Sequence, residues 1–180
     1  DTLRPSAAPA VRELKALGVD RVHLLSGDRN KAVARLAADV GIESWEGELL
    51  PNEKVDRLES MRQDGRKVMY VGDGVNDGPA LATSYVGVAM GAGASPLALE
   101  TADIGILRPD VSQVPALIRL GRVTKRRIRE NLLAFAVLYN GIAIALASFG
   151  VLSPIMAALT HNLGSVAVVL NSARLIRWKR

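Results

Sequence analysis

The sequence contains no cysteine. That excludes a disulfide framework and any thiolate metal site made by this chain alone. Aromatic residues amount to only 4% and histidines to two. No zinc-binding or RNA-binding motif occurs, so the formal charge of +5 does not indicate a nucleic-acid partner. A signal peptide, internal repeats and low-complexity segments are likewise absent from the residues present. A further absence is local. From Asn131 to Ala173 there is no Asp, Glu, Lys or Arg, and all 18 acidic residues precede that stretch.

The charge-free stretch divides in two at Ser153-Pro154. Asn131 to Val151 and Ile155 to about Ala173 are each long enough to span, since about 20 residues cross the hydrocarbon core. Basic residues crowd both outer flanks: Arg119, Arg122, Lys125, Arg126, Arg127 and Arg129 before, and Arg174, Arg177, Lys179 and Arg180 after. The short connection around Gly150 to Pro154 carries none. The positive-inside rule therefore predicts an integral membrane hairpin with both ends cytoplasmic and the connection outside. A basic connecting helix over 113–130 leads into a hairpin over 131–180, and a lipid membrane is the expected partner.

Residues 1–112 read differently. Short apolar runs at Val22–Ser26, Lys67–Val71, Val86–Met90 and Asp103–Leu107 predict strands. Helical patterns lie between them at Asn30–Val40, Pro51–Gln63 and Asp77–Thr83. Alternation of this kind predicts a parallel sheet with right-handed crossovers, an α/β fold. Ligands in such sheets bind beyond the carboxyl ends of the strands, where Gly27-Asp28 and Gly72-Asp73 fall.

The segment Gly72-Asp73-Gly74-Val75-Asn76-Asp77-Gly78-Pro79-Ala80-Leu81 carries the densest chemistry. Two carboxylates and an amide in a glycine-rich turn after a buried strand are hard oxygen donors of the kind that suit Mg²⁺. It is not a dinucleotide fingerprint, because Asp77 stands where the third glycine would have to be. Ser26-Gly27-Asp28, after the first strand, offers a hydroxyl and backbone N–H groups near a helix start, an arrangement that can hold phosphate oxygens. Lys54 lies in the first turn of its helix, where the dipole disfavours a cation. That misfit points to a functional lysine neutralising phosphate charge.

Together these features resemble the haloacid-dehalogenase-like phosphoryl-transfer fold, and more closely the P-type ATPases that move heavy-metal ions. The resemblance runs through Asp1-Thr2-Leu3-Arg4-Pro5, Ser26-Gly27-Asp28, Leu50-Pro51-Asn52-Glu53-Lys54 and the Gly72 to Leu81 string. It continues through Met90-Gly91-Ala92-Gly93, Glu100-Thr101-Ala102-Asp103, Asn131-Leu132, Tyr139-Asn140 and Asn171-Ser172-Ala173-Arg174-Leu175. It implies a carboxy-terminal part of the phosphorylation domain followed by the last two transmembrane helices of a bacterial plasma-membrane pump. ATP would phosphorylate an aspartate, and the aspartyl-phosphate would then be hydrolysed. Asp73 would bind Mg²⁺, and Asp77 and Asn76 would order that site. Ser26, Gly27 and Asp28 would serve the phosphoryl group, and Lys54 would offset its charge.

The family nucleophile lies in an Asp-Lys-Thr-Gly-Thr motif, and no Asp-Lys pair occurs here. The chain begins at Asp1 rather than Met, so it reads as a piece of a longer pump. The 180 residues alone are expected to show no ATPase activity. Polar residues inside the spans are candidates for the transported ion. His161, Asn140 and Tyr139 are the expected ligands, for a divalent transition metal such as zinc, manganese or cobalt. Two alternatives stay open: a soluble phosphatase of the same fold, and a membrane-anchored chain that turns nothing over.

Overall fold

The computed structural model describes residues 3–72, 76–91 and 100–177. The chain forms two compact units, Asp1–Pro115 and Ala116–Arg180.

The first unit alternates helix and strand. Its elements are α1 (Ala7–Ala16), β1 (His23–Leu25), α2 (Asn30–Val40), β2 (Ser44–Glu46), α3 (Pro51–Gln63), β3 (Met69–Gly72), α4 (Gly78–Thr83), β4 (Val86–Met90) and β5 (Ile104–Ile106). Local chemistry sets the helix limits. Pro51 starts α3 at a position where its missing N–H costs nothing, and the Glu53 carboxylate accepts from Leu50 N–H at 2.7 Å. Gly41 ends α2 in the left-handed region at φ 76°, and Ile42 N–H then reaches the Ala37 carbonyl at 2.8 Å. Along α2, Val33, Ala37 and Val40 are buried, the four- and three-residue steps of one helix face.

All strand pairings are parallel, as the alternation predicts, but they form two sheets rather than one. β1 pairs with β2, His23 opposite Ser44, and the second sheet has the order β3-β4-β5. Among the described residues, nothing pairs with the other edge of β1 or of β3. Two elements, α1 and β2, have no counterpart in the sequence reading. A strand of three residues such as β2 is too short to show an alternation. The core joins Leu58, Tyr70, Ala80, Leu81 and Ala89, with Leu25, Val55, Val68 and Ala102 packed against them. It ties α3 and α4 to β3 and β4.

The second unit is helical. Helix α5 (Gln113–Asn131) continues through a π-helical segment, Leu132–Tyr139, into α6 (Asn140–Ser148). After Gly150, at φ 72°, the chain turns into α7 (Pro154–Ala173), which ends in a 3-10 turn at Arg174–Arg177. Ser153 caps α7, its hydroxyl accepting from Met156 N–H at 3.3 Å. The two apolar helical stretches, Gln113–Ser148 and Ile155–Ile176, are long and apolar enough to cross a membrane, and in the apolar window of each almost no residue is buried within the structure.

Two clasps hold these helices together. Asn131 accepts from Asn171 Nδ2 at 2.6 Å and donates to Ser172 Oγ at 2.9 Å. Tyr139 donates its phenol to the Thr160 carbonyl at 2.6 Å, and its ring lies over Gly164. Cross-helix polar bonds and small residues at close approach are what hold helices together in lipid.

Candidate functional site

Asp77 stands out by its burial. It is 9% exposed and is the one buried charged residue among those described. One carboxylate oxygen, Oδ1, receives two donors: Lys54 Nζ from α3 and the Tyr70 hydroxyl from β3, each at 2.8 Å. Lys54 is covered to a similar degree. A charged pair shielded in this way is strong only when its remaining hydrogen-bonding capacity is used, and Tyr70 meets part of that need.

Asp77 also occupies the N-cap position of α4, yet its side chain makes no cap bond. Aspartate is among the best N-caps, worth about 1 kcal/mol over alanine. Here the carboxylate is drawn to Lys54 and Tyr70 instead. Its second oxygen, Oδ2, lies against the Cα of Gly72, where an added Cβ would come within 2.6 Å. Gly72 is therefore required by close approach. Among the described residues, Oδ2 accepts no hydrogen bond. It is a hard carboxylate oxygen beside Gly72, which is the donor type that Mg²⁺ takes. The residues present thus fit the ion. Asp73, the expected Mg²⁺ ligand, lies outside the described residues, and Asn76 is exposed.

Ser26, Gly27 and Asp28 form a turn of their own beyond β1. Ser26 Oγ accepts from Asp28 N–H at 3.1 Å and donates to the Asp28 carboxylate at 3.2 Å. The connection from β2 to α3 is zipped onto this turn. Ser26 N–H donates to the Glu46 carbonyl at 3.0 Å, Leu49 N–H to the Ser26 carbonyl at 3.0 Å, and Glu48 N–H to the Asp28 carbonyl at 2.7 Å. Glu48 adopts φ 57°, the one positive φ outside glycine among the described residues, and its carboxylate accepts from Asn30 Nδ2. The Asn30 side-chain oxygen Oδ1 in turn accepts from Gly47 N–H at 3.2 Å. A left-handed glutamate is held there by bonds on both sides. Leu49 precedes the N-cap of α3, so one short connection links the Ser26 turn to the helix carrying Lys54.

His23, on β1, is held mainly by burial below the usual histidine range, with the Arg66 and Arg21 charges acting in the same direction. Its Nδ1 lies 2.7 Å from Ser44 Oγ across the strand pair. This contact stabilises the sheet and is at the opposite end of β1 from Ser26.

Sequence reasoning named Lys54 and Asp77 separately, and the structure brings them into contact. Tyr70 was passed over as a strand residue. The available signal was a tyrosine inside a buried run, whose hydroxyl must find a partner. In the second unit, Tyr139 Oη is engaged by the Thr160 carbonyl and Asn140 Nδ2 lies 3.4 Å from the Ala136 carbonyl, while His161 is exposed on α7. No group of three metal-binding side chains of the His, Cys, Asp or Glu type assembles among the described residues.

The parallel α/β unit with its buried Lys–Asp pair beyond β3 is a haloacid dehalogenase-like domain, and the family model of that name matches residues 1–84. The whole chain is 38% identical over 179 residues to the manganese-exporting P-type ATPase of Mycobacterium leprae, covering 99% of this chain and 25% of that protein. It is 37% identical to the zinc-exporting P-type ATPase of Mycobacterium marinum, covering 99% of this chain and 24% of the relative. The crystal structure of a zinc-transporting PIB-type ATPase in the E2.Pi state superposes with a TM-score of 0.88 at 35% identity, over 97% of this chain and 28% of that one. The chain belongs to the heavy-metal P-type ATPases. It spans about a quarter of the length of the relatives it matches.

Proposed function

We propose that this chain supplies the phosphate- and Mg²⁺-handling half of a phosphorylation domain, and a transmembrane helix pair, to an ATP-driven pump for a divalent transition-metal ion. The observation that carries the proposal is the buried Lys54–Asp77–Tyr70 group behind the Gly72 turn. An ion pair this shielded in a soluble unit is costly to maintain for structure alone.

Asp73 and Asp77 would hold Mg²⁺, which when bound neutralises charge on phosphoryl oxygens. Ser26 and the backbone N–H groups of Gly27 and Asp28 would orient those oxygens. Lys54 would act through Asp77, fixing its carboxylate, as well as by its charge. The phosphoryl acceptor, an aspartate followed by lysine, would come from another segment of polypeptide. The unpaired edges of β1 and β3 are where a further parallel strand carrying it could pair. The hairpin would lie in a bacterial plasma membrane with its basic ends cytoplasmic. His161, with Asn140 and Tyr139, would contact the transported ion. The manganese- and zinc-exporting relatives support manganese or zinc as that ion, and imidazole also suits cobalt.

The test begins upstream of Asp1 in the gene. An in-frame Asp-Lys-Thr-Gly-Thr segment, and a metal-dependent phosphoenzyme formed from ATP by the complete reading frame, are expected. Its absence, with metal-stimulated ATP turnover by the 180 residues alone, would overturn the proposal. Co²⁺ absorption spectra of the chain in detergent test the ion site: loss of the ligand-field bands in His161→Ala is expected, and unchanged bands would remove His161 from it.

A further inference from the structure

The Tyr70 hydroxyl is the least expected member of the Asp77 group. The ring sits among Leu58, Ala80, Leu81 and Ala89 and is 9% exposed. Phenylalanine would fill the same space without burying a polar atom, so packing alone does not call for the hydroxyl. The hydroxyl meets the same oxygen of Asp77 that Lys54 meets, from a different element and at the same 2.8 Å.

Two donors from two directions define the carboxylate plane. Lys54 alone would not, because an ammonium on a flexible stem is a point charge with no preferred plane. Released from that plane, Asp77 could swing back to cap α4. Pro79 offers no N–H, so the available donor would be Ala80 N–H. With both donors in place the cap is forgone and Oδ2 is pressed against Gly72.

We propose that Tyr70 is a positioning residue for the Mg²⁺ site: with Lys54 it holds Oδ1 of Asp77 so that Oδ2 stays against Gly72. This rests on the reading of Asp73 and Asp77 as the Mg²⁺ site. In this role Tyr70 acts through Asp77 and not on the ion or the phosphoryl group directly.

The test uses the whole chain in detergent micelles, with Mg²⁺ alone as the probe. Calorimetry should show Mg²⁺ binding about tenfold weaker in Tyr70→Phe, the usual scale for losing a partner behind a metal ligand. The circular dichroism spectrum should be unchanged. Asp77→Asn should weaken binding at least as much. In the unaltered chain labelled with ¹³C at tyrosine Cζ, Mg²⁺ should shift the Tyr70 resonance, a readout that does not depend on how the variant folds. Equal Mg²⁺ affinity in Tyr70→Phe, or a Tyr70 resonance that ignores Mg²⁺, while Asp77→Asn loses binding, would overturn the role of Tyr70 and leave the site standing. No Mg²⁺ binding by the unaltered chain, or none lost in Asp77→Asn, would overturn both.

Discussion

Lys54 and Asp77 lie 23 residues apart in the chain and 2.8 Å apart in space, with only about an eighth of either side chain exposed. Their contact joins α3 to the start of α4. Removing one partner leaves the other buried and charged. Lys54→Met should therefore lower stability by about 3 kcal/mol, at the low end for a broken buried pair because Tyr70 still donates. The thermal midpoint should drop by roughly 6–12 °C for a chain of this size. The double variant Lys54→Met, Asp77→Asn should regain part of that loss in the same melting experiment.

Gly72→Ala tests the close approach from the other side. A methyl group 2.6 Å from Asp77 Oδ2 must displace the carboxylate, and with it the Lys54 and Tyr70 bonds. A loss of about 1–3 kcal/mol is expected from the overpacking alone. Mg²⁺ binding measured by calorimetry should fall with it.

Gly47→Ala should disturb the Ser26 turn without touching it in sequence. Its Cβ would lie 2.8 Å from Asn30 Oδ1 and 2.9 Å from the Asp28 carbonyl. Glu48→Gly relieves the positive φ while removing the carboxylate that Asn30 binds, so its two effects on stability oppose each other. Hydrogen exchange at Leu49 N–H, which donates to Ser26, should quicken markedly in Gly47→Ala and less in Glu48→Gly.

His23 carries a pH signature. Its folded-state value lies below the ordinary one because burial, then Arg66 and Arg21, disfavour the charged ring. Above about pH 6.5 the ring is neutral in both states and the sheet is undisturbed. As pH falls below that value the unfolded chain takes up a proton that the folded chain resists, so stability declines until the lowered folded value is passed. Melting temperature should decline through this window in the unaltered chain and less steeply in His23→Gln.

In the membrane unit, Tyr139→Phe removes the bond to the Thr160 carbonyl and should cost about 0.6 kcal/mol, the average for such bonds between membrane helices. Gly164→Ala should cost more, about 1–3 kcal/mol by overpacking, since its Cβ would come 2.7 Å from Tyr139 Cε1. Unfolding by titration with sodium dodecyl sulfate would rank the two.

The linear order of residues was enough for features governed by near neighbours or by bulk solvent. The hairpin follows from a charge-free length that only lipid or a large core could cover. The limits of α2 and α3 follow from Gly41, Pro51 and Glu53, each acting within one turn of helix. The Gly72 to Leu81 string announced its oxygen donors through residue type alone. Tertiary structure decided what depends on closing long loops. It set which oxygen of Asp77 meets Lys54 and Tyr70, and which is left facing Gly72. It zipped Glu48 and Leu49 onto the Ser26 turn, and it divided the strands between two sheets. Each of these joins segments whose partners are separated by loops, and a strand of three residues such as β2 has too few side chains to display a period. Their pairing energy appears only when the chain has folded back on itself, so no local pattern records it.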